Sequence, residues 1–333
     1  MQFRDVSLTA PCEGQGGWLE AATNTGQADP FCCSPAWQLS FHEAFEPERR
    51  LLIEAAGGSL IAFAESVLSQ ENIYITPVES SWFFGCPLLG ENAPEMFAEA
   101  LGHFAQVYTL IFPRIVVSGL RPEGRLPRCL LRMFGDDFTV FLHSAGVQCA
   151  ASLAGGLDGF LSRRSAKHRS KLRQGFRRAM NRGVQFERVA PISAEAAKAA
   201  YARMLAVESA SWKGIGRCGM AEPPVARFYD VMLQRLSVAK DARIIFAKHE
   251  DKDIGFIFGG MAGRIYRGQQ FSYDDAWREF SIGNLMQIEQ VRWLCEQGAE
   301  RYDMGPLDGP RMGYKAHWAE ETAAIQTWIF EKN

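Results

Sequence analysis

The sequence predicts an α/β protein, with α and β elements mixed around a mixed sheet, in two halves. Three observations carry that reading. The chain of 333 residues is about two domains long at the usual 100–200 residues each. Between Ala145 and Gly159 it turns small and glycine-rich (AGVQCAASLAGGLDG), which suits a boundary separating residues 1–150 from 151–333. From Val184 onward, strand-period and helix-period segments follow one another in the order β-α-α-β-β-β-α-β-α-β.

Composition narrows the classes. With 47% hydrophobic and 22% charged residues the chain can bury an ordinary globular core. A net charge of -2 gives no bulk affinity for nucleic acid or an anionic membrane, so any such binding must come from a local patch. There is no basic-then-apolar leader and no apolar run of transmembrane length, and the cytoplasm is the expected compartment. The eight cysteines are scattered, with no CxxC pair and no Cys/His spacing of a zinc site, so the expectation is reduced thiols, no metal and no cysteine nucleophile.

In the first half, Ser34 to Phe45 has helical spacing with Trp37, Phe41 and Phe45 on one face. Leu51 to Glu54 and Leu60 to Leu68 flank AAGG and predict a hairpin. Strands are expected at Ile73 to Pro77, Arg114 to Ser118 and Phe138 to His143, with a helix over Ala93 to Val107. No charged constellation in this half points to chemistry.

The segment Arg163 to Arg182 holds nine Lys/Arg residues and no Asp or Glu. Leu172, Phe176 and Ala179 give it a narrow apolar stripe, so a helix docked along one edge with basic outer faces is expected. Arg169 and Arg173 are its candidate contacts to an anionic substrate; a solvated basic helix is the alternative. After the strand Val184 to Val189, Ser193 starts an Ala-rich helix on which Glu208 shares the inward face with Tyr201 and Met204. A buried carboxylate there needs a partner, for which Lys213 in Ser211-Trp212-Lys213-Gly214 is the candidate. The pair reads either as a structural ion pair or as a pocket group that orients an amine, with Trp212 and Lys213 contacting substrate.

A second helix follows Pro223-Pro224, and then a three-strand meander: Arg243 to Lys248, Ile254 to Met261 and Ile265 to Tyr273. The turn after it, Arg278-Glu279-Phe280-Ser281-Ile282-Gly283-Asn284, leads into a helix ending at Gly298. A strand that runs through small residues into a helix leaves unpaired N–H groups aimed at the turn, a ready site for phosphate. Arg301 to Met304 is a short strand, Pro310 to Trp318 a short helix, and Ala323 to Phe330 a closing strand.

That element order resembles the GNAT acyltransferase fold. Arg278-x-x-Ser281-x-Gly283 is similar to the family's Gln/Arg-x-x-Gly-x-Gly/Ala loop, with serine at the first glycine. The resemblance implies that Arg278, Ser281, Ile282, Gly283 and Asn284 hold the pyrophosphate of acyl-CoA. A closer resemblance is to the FemAB-like (cellulose-biosynthesis-type, peptidoglycan-bridge-type) branch, which carries two GNAT-like halves. It rests on the basic segment, Glu208-x-x-Ser211-Trp212-Lys213-Gly214, Tyr302-Asp303-Met304-Gly305, and Tyr314-Lys315 followed by Trp318. The first half resembles the branch in outline, including GCPLLG at 85–90. In FemX-type members an aromatic-Lys pair in the position of Tyr314-Lys315 lies close to the acyl donor, which makes Lys315 the candidate for charge stabilisation.

Acyl transfer to an amine requires a neutral amine, a polarised carbonyl and both within attack distance. Loop amides and Lys315 can supply positioning and oxyanion stabilisation, and Glu208 or Asp303 can accept the proton through water. The resemblance therefore implies an N-acyltransferase that uses acyl-CoA, first acetyl-CoA, on an amine of a small molecule, sugar or peptide, in a ternary complex and without metal. Two alternatives stay open: an aminoacyl-tRNA-dependent FemX-like transferase, which the basic segment would serve, and a non-catalytic binding protein that keeps the fold.

Overall fold

The computed structural model describes residues 15–26, 29–69, 71–307 and 312–333. The chain forms two compact units, one ending at Gln148 and completed by Ala323–Asn333, the other Cys149–Thr322. No helix among the described residues is long and apolar enough to cross a membrane.

The first unit begins with α1 (Gln15–Thr23) and α2 (Pro35–Phe45), then β1 (Leu51–Ala56), β2 (Ser59–Ser69), β3 (Asn72–Pro77), β4 (Leu88–Leu89), α3 (Ala93–Val107), β5 (Arg114–Leu120), α4 (Arg125–Phe134) and β6 (Phe138–Ser152). Gly57 and Gly58, both at positive φ, close the β1/β2 hairpin that AAGG predicted. β2 pairs antiparallel with β3, and β3 lies parallel to β5 after the crossover through α3. Phe63, Phe97, Phe104, Ile115 and Phe330 are among the side chains that fill its core.

The second unit holds α5 (Gly156–Ser162), α6 (Ala166–Asn181), β7 (Val184–Val189), α7 (Ala194–Ser209), α8 (Trp212–Ile215), α9 (Val225–Val238), β8 (Ala242–His249), β9 (Lys252–Ala262), β10 (Ile265–Tyr273), α10 (Ile282–Glu296) and β11 (Arg301–Pro306). Strands β7 to β10 pair antiparallel in sequence order, and β11 returns parallel to β10 after α10. The first unit thus repeats the second: three antiparallel strands, a helix and a parallel strand. Two GNAT-like halves are present; the second carries the expected order through β11, and the closing strand that follows groups with the first.

Several boundaries differ from the sequence reading. β6 runs on to Ser152, because Cys149, Ala150 and Ala151 are small apolar residues that bury well in a strand; the turn comes later, at Gly155 and Gly156 with positive φ. The closing strand β12 (Glu321–Lys332) pairs antiparallel with β5 and groups with the first unit. Helix α4 went unread because Pro127 interrupts its pattern, yet in a first helical turn proline removes no intrahelical bond. The short helix expected at Pro310 to Trp318 is a 3₁₀ turn, Gly313–His317, and its first two expected residues lie outside the described residues.

The basic segment is one helix, α6, preceded by a three-residue break that separates it from α5. Arg163 to Ser165 form that break, and Ser165 caps α6 by accepting from the His168 amide at 3.1 Å. α6 buries Leu172, Gly175 and Ala179, whereas Phe176 is exposed.

Candidate active site

β10 ends at Tyr273. Asp274 then caps a 3₁₀ turn, Asp275–Phe280, accepting from the Ala276 amide at 3.0 Å. Ser281 turns the chain at φ 59°, and α10 begins at Ile282. The Ser281 carbonyl accepts from the amides of Asn284 (3.0 Å) and Leu285 (3.2 Å). The amides of Ile282 and Gly283 belong to the first turn, where a helix offers no partner of its own.

Helix α6 crosses this turn at Gly175, where a Cβ would lie 3.6 Å from Leu285 Cδ2 and 3.7 Å from Ser281 Cβ. These are ordinary van der Waals separations, and Gly175 faces inward while Phe176 is exposed. Beside the contact is a cavity of about 470 Å³. Lys167, Lys171 and Arg178 line it from α6, Ser281 and Asn284 from the turn, and His168 and His317 close it. Burial, helped by His317 and neighbouring cations, lowers the His168 pKa from 6.5. Two separate sequence expectations, the phosphate-type turn and the basic segment, therefore meet in one cavity.

Arg278 does not line it; its guanidinium is exposed and pairs with Asp275 at 2.9 Å. Gly283 serves packing too, since a Cβ there would come within 3.2 Å of the Phe271 ring and 3.3 Å of the Tyr273 ring.

A second cavity, of about 510 Å³, gathers Trp212, Lys213, Tyr314 and Lys315. The SWKG motif shapes one wall. Ser211 is buried and caps α8 by accepting from the amides of Lys213 and Gly214, and a Cβ on Gly214 would lie 2.3 Å from the Glu208 carbonyl. Lys213 Nζ donates to Gln270 Oε1 (2.7 Å) and to the Phe271 carbonyl (2.9 Å). Burial lowers its pKa, opposed by the charge of Glu208.

The 3₁₀ turn Gly313–His317 supplies the other wall. Lys315 is buried, and its Nζ donates to the Pro306 carbonyl at 2.6 Å. Burial, and next the nearby Arg267 cation, lower its pKa to about 8. Tyr314 packs edge-on to Phe271 at 5.4 Å, and burial pushes its phenol up to about 12. β10 and β11 pair only from Ile265↔Arg301 to Arg267↔Asp303, so the cavity opens where they stop pairing, beside Gly268 and Met304.

Seven candidates lie outside both linings: Arg278, Ile282 and Gly283 at the turn, and Glu208, Asp303, Arg169 and Arg173 elsewhere. Glu208 is buried, and its partners are the Met220 amide and, at 3.1 Å, the Ser272 hydroxyl rather than the ammonium of Lys213. Asp303 is buried and takes Arg301 on its carboxylate, at 2.9 Å for Oδ2. Arg169 donates to the carbonyls of Leu161, Ser162 and Arg164, and so caps the end of α5. Arg173 is exposed on α6. Gly219 covers Glu208: a Cβ there would sit 2.2 Å from Oε1. Gly219→Ala should therefore destabilise the fold by about 2 kcal/mol, because it must push a buried carboxylate off its donors. An unchanged denaturation midpoint would show that Glu208 is not held there.

Sequence reasoning missed His168 and His317, whose rings stand 6.1 Å apart, and the amide groups of Gln269, Gln270 and Gln287 in the second cavity. Isolated His and Gln residues carry no spacing signal, so only the fold brings them together.

Residues 166–316, which hold the whole lining of the second cavity and all of the first but Ser165 and His317, match the family model of the acetyltransferase (GNAT) domain. This segment carries a GNAT domain. No curated protein matches the sequence. Among solved structures, the GNAT-type chain is similar to a conserved protein of unknown function from Bacteroides thetaiotaomicron, with TM-score 0.67, 11% identity and 99% of each chain covered. FemX aligns at TM-score 0.66 and 12% identity over 98% of this chain and 97% of its own. L-PGS from Bacillus licheniformis aligns at 0.56 and 18% over 90% and 92%. At these identities the likeness is one of fold, and it spans both GNAT-like halves. The GNAT domain makes the chain an acyltransferase.

Proposed function

We propose that the chain is an N-acyltransferase whose donor is acyl-CoA, most simply acetyl-CoA, and whose acceptor is an amine of a small molecule, sugar or peptide. The observation that carries this reading is that the two cavities share walls. The 3₁₀ turn gives His317 to the basic cavity and Tyr314 and Lys315 to the other; α10 gives Asn284 to the first and Gln287, one turn on, to the second. A donor with polyphosphate at one end and a thioester at the other matches that sequence of chemistry.

On this reading the amides of Ile282 and Gly283, with Lys167, Lys171 and Arg178, receive the phosphates. The thioester carbonyl comes to Lys315, whose ammonium stabilises the oxygen as the neutral amine adds. The N–C bond forms and the C–S bond breaks. Tyr314, kept neutral at working pH by its raised pKa of about 12, gives its proton to the leaving sulfur, and the proton shed by the amine returns to it through solvent. Glu208 acts as a positioning residue through Ser272 and the Met220 loop. CoA thioesters are cytoplasmic metabolites, which fits a cytoplasmic enzyme.

Acetyl-CoA and longer acyl-CoAs should raise the melting temperature by mass action, and thiol should be released when an amine panel is added. The absence of any shift at saturating acyl-CoA would sink the donor assignment. A second reading, with aminoacyl-tRNA as donor, is favoured by the exposed Arg173 and Arg177 of α6.

A further inference from the structure

Resting on the acyltransferase reading, we propose that the acceptor bound between Lys213 and Lys315 carries a carboxylate as well as its amine, as an amino acid or the C-terminal residue of a short peptide does. In the second cavity side-chain donors outnumber the acceptors that could meet them. An ammonium group has three donors and no acceptor. Lys213 spends two, on Gln270 Oε1 and the Phe271 carbonyl, and Lys315 spends one, on the Pro306 carbonyl. Gln269 adds a buried amide nitrogen with no partner in the protein.

Two side-chain acceptors of the lining are already engaged. The oxygen of Gln270 serves Lys213, while its nitrogen donates to Tyr229; the Tyr302 hydroxyl accepts from Gln287 at 2.9 Å. Glu208, behind the wall, holds the Met220 amide and Ser272. Among the described residues that line the cavity Glu222 is the one carboxylate; it is 40% exposed and stands 3.9 Å from Arg217. Arg267, beside Lys315, has the same sign as the two lysines and adds no acceptor.

What remains is a surplus of donors and positive charge, shared by the buried Lys315 and the half-buried Lys213. A carboxylate accepts at about four lone-pair sites and can engage both ammonium groups and the Gln269 amide. A neutral sugar has no use for two desolvated cations. A bare ammonium would be repelled by them. The same field helps the chemistry, because neighbouring cations lower the pKa of the acceptor's amine and favour the neutral form that attacks. The ring of Tyr314 and the indole of Trp212, both partly exposed, leave apolar surface for the rest of the molecule.

The test uses the full chain and matched probes: amino acids and dipeptides, each against its own C-terminal amide, followed by thermal shift and saturation-transfer NMR. The acids should bind about 10- to 100-fold more tightly than the amides, the range expected for hydrogen bonds to a charged group. Lys213→Met should lose that preference, and Lys213→Arg, which keeps the charge, should retain part of it. Equal binding of acid and amide, or no response to any acid, would overturn the inference. Acetyl-CoA is run in the same screen. Its failure to bind would sink the donor reading, whereas equal acids and amides beside a normal acetyl-CoA shift would sink only the carboxylate.

Discussion

Lys315→Met should lower turnover by about 10²-fold or more and yet make the protein more stable at neutral pH. The rate loss follows from the role of an oxyanion donor, whose removal costs that much elsewhere. The stability gain follows from burial. The Lys315 ammonium titrates near 8 in the folded chain against an ordinary 10.5, a difference worth about 3 kcal/mol against the buried charge. Loss of its bond to the Pro306 carbonyl gives back about 1 kcal/mol. A net gain of about 2 kcal/mol would raise the melting temperature by several degrees.

The sign is fixed by which state holds the proton. Below about pH 8 both folded and unfolded chains keep it, so the penalty is fully present and the variant has its full advantage. Between pH 8 and 10.5 the folded wild type sheds the proton first, gains stability with rising pH, and closes the gap. Turnover should behave in the opposite sense, falling as pH rises through about 8 while the ammonium is lost. Lys315→Arg, which does not deprotonate in this range, should move that fall upward. A variant that is less stable than wild type at pH 7, or that keeps its rate, would return Lys315 to a structural role.

Much of the second unit was legible in the sequence because its signals are local. The cap at Ser193, the Ala-rich run after it and the three apolar strands each depend on neighbours within a few residues. The turn into α10 was legible for the same reason. What sequence reasoning misplaced depends on contacts between distant segments. Glu208 was given to Lys213, five residues on, but the loop carrying Met220 folds back and supplies the donor instead. Arg169 was assigned to substrate and instead caps α5, a helix that the glycine-rich stretch concealed. Asp303 is the exception, since strand alternation sets Arg301 on the same face two residues away, and their pairing could have been read from the sequence.

Charge reversal on α6 decides the donor, and the structure fixes where to make it. Lys171 and Arg178 line the cavity at the α10 turn, whereas Arg173 and Arg177 are exposed and lie outside that lining. If the donor is a CoA thioester, Lys171→Glu with Arg178→Glu should weaken acetyl-CoA binding by about 10²-fold, the sum of two lost charge-assisted contacts. Arg173→Glu with Arg177→Glu should leave it unchanged. A tRNA donor inverts the pattern, because a polyanion that spans the helix must meet the outer arginines as well. Each phosphate it neutralises releases counterions, giving a slope of log K against log salt of about -0.7 to -0.9 per contact. A CoA donor brings few phosphates, and two backbone amides at Ile282 and Gly283 take part of that charge without releasing a counterion, so its slope should be shallow. Calorimetry with acetyl-CoA and with charged tRNA, at two salt concentrations on both double variants, separates the cases. Steep salt dependence of tRNA binding, lost with Arg173 and Arg177, together with acetyl-CoA binding that ignores Lys171 and Arg178, would show that the basic cavity serves an aminoacyl donor.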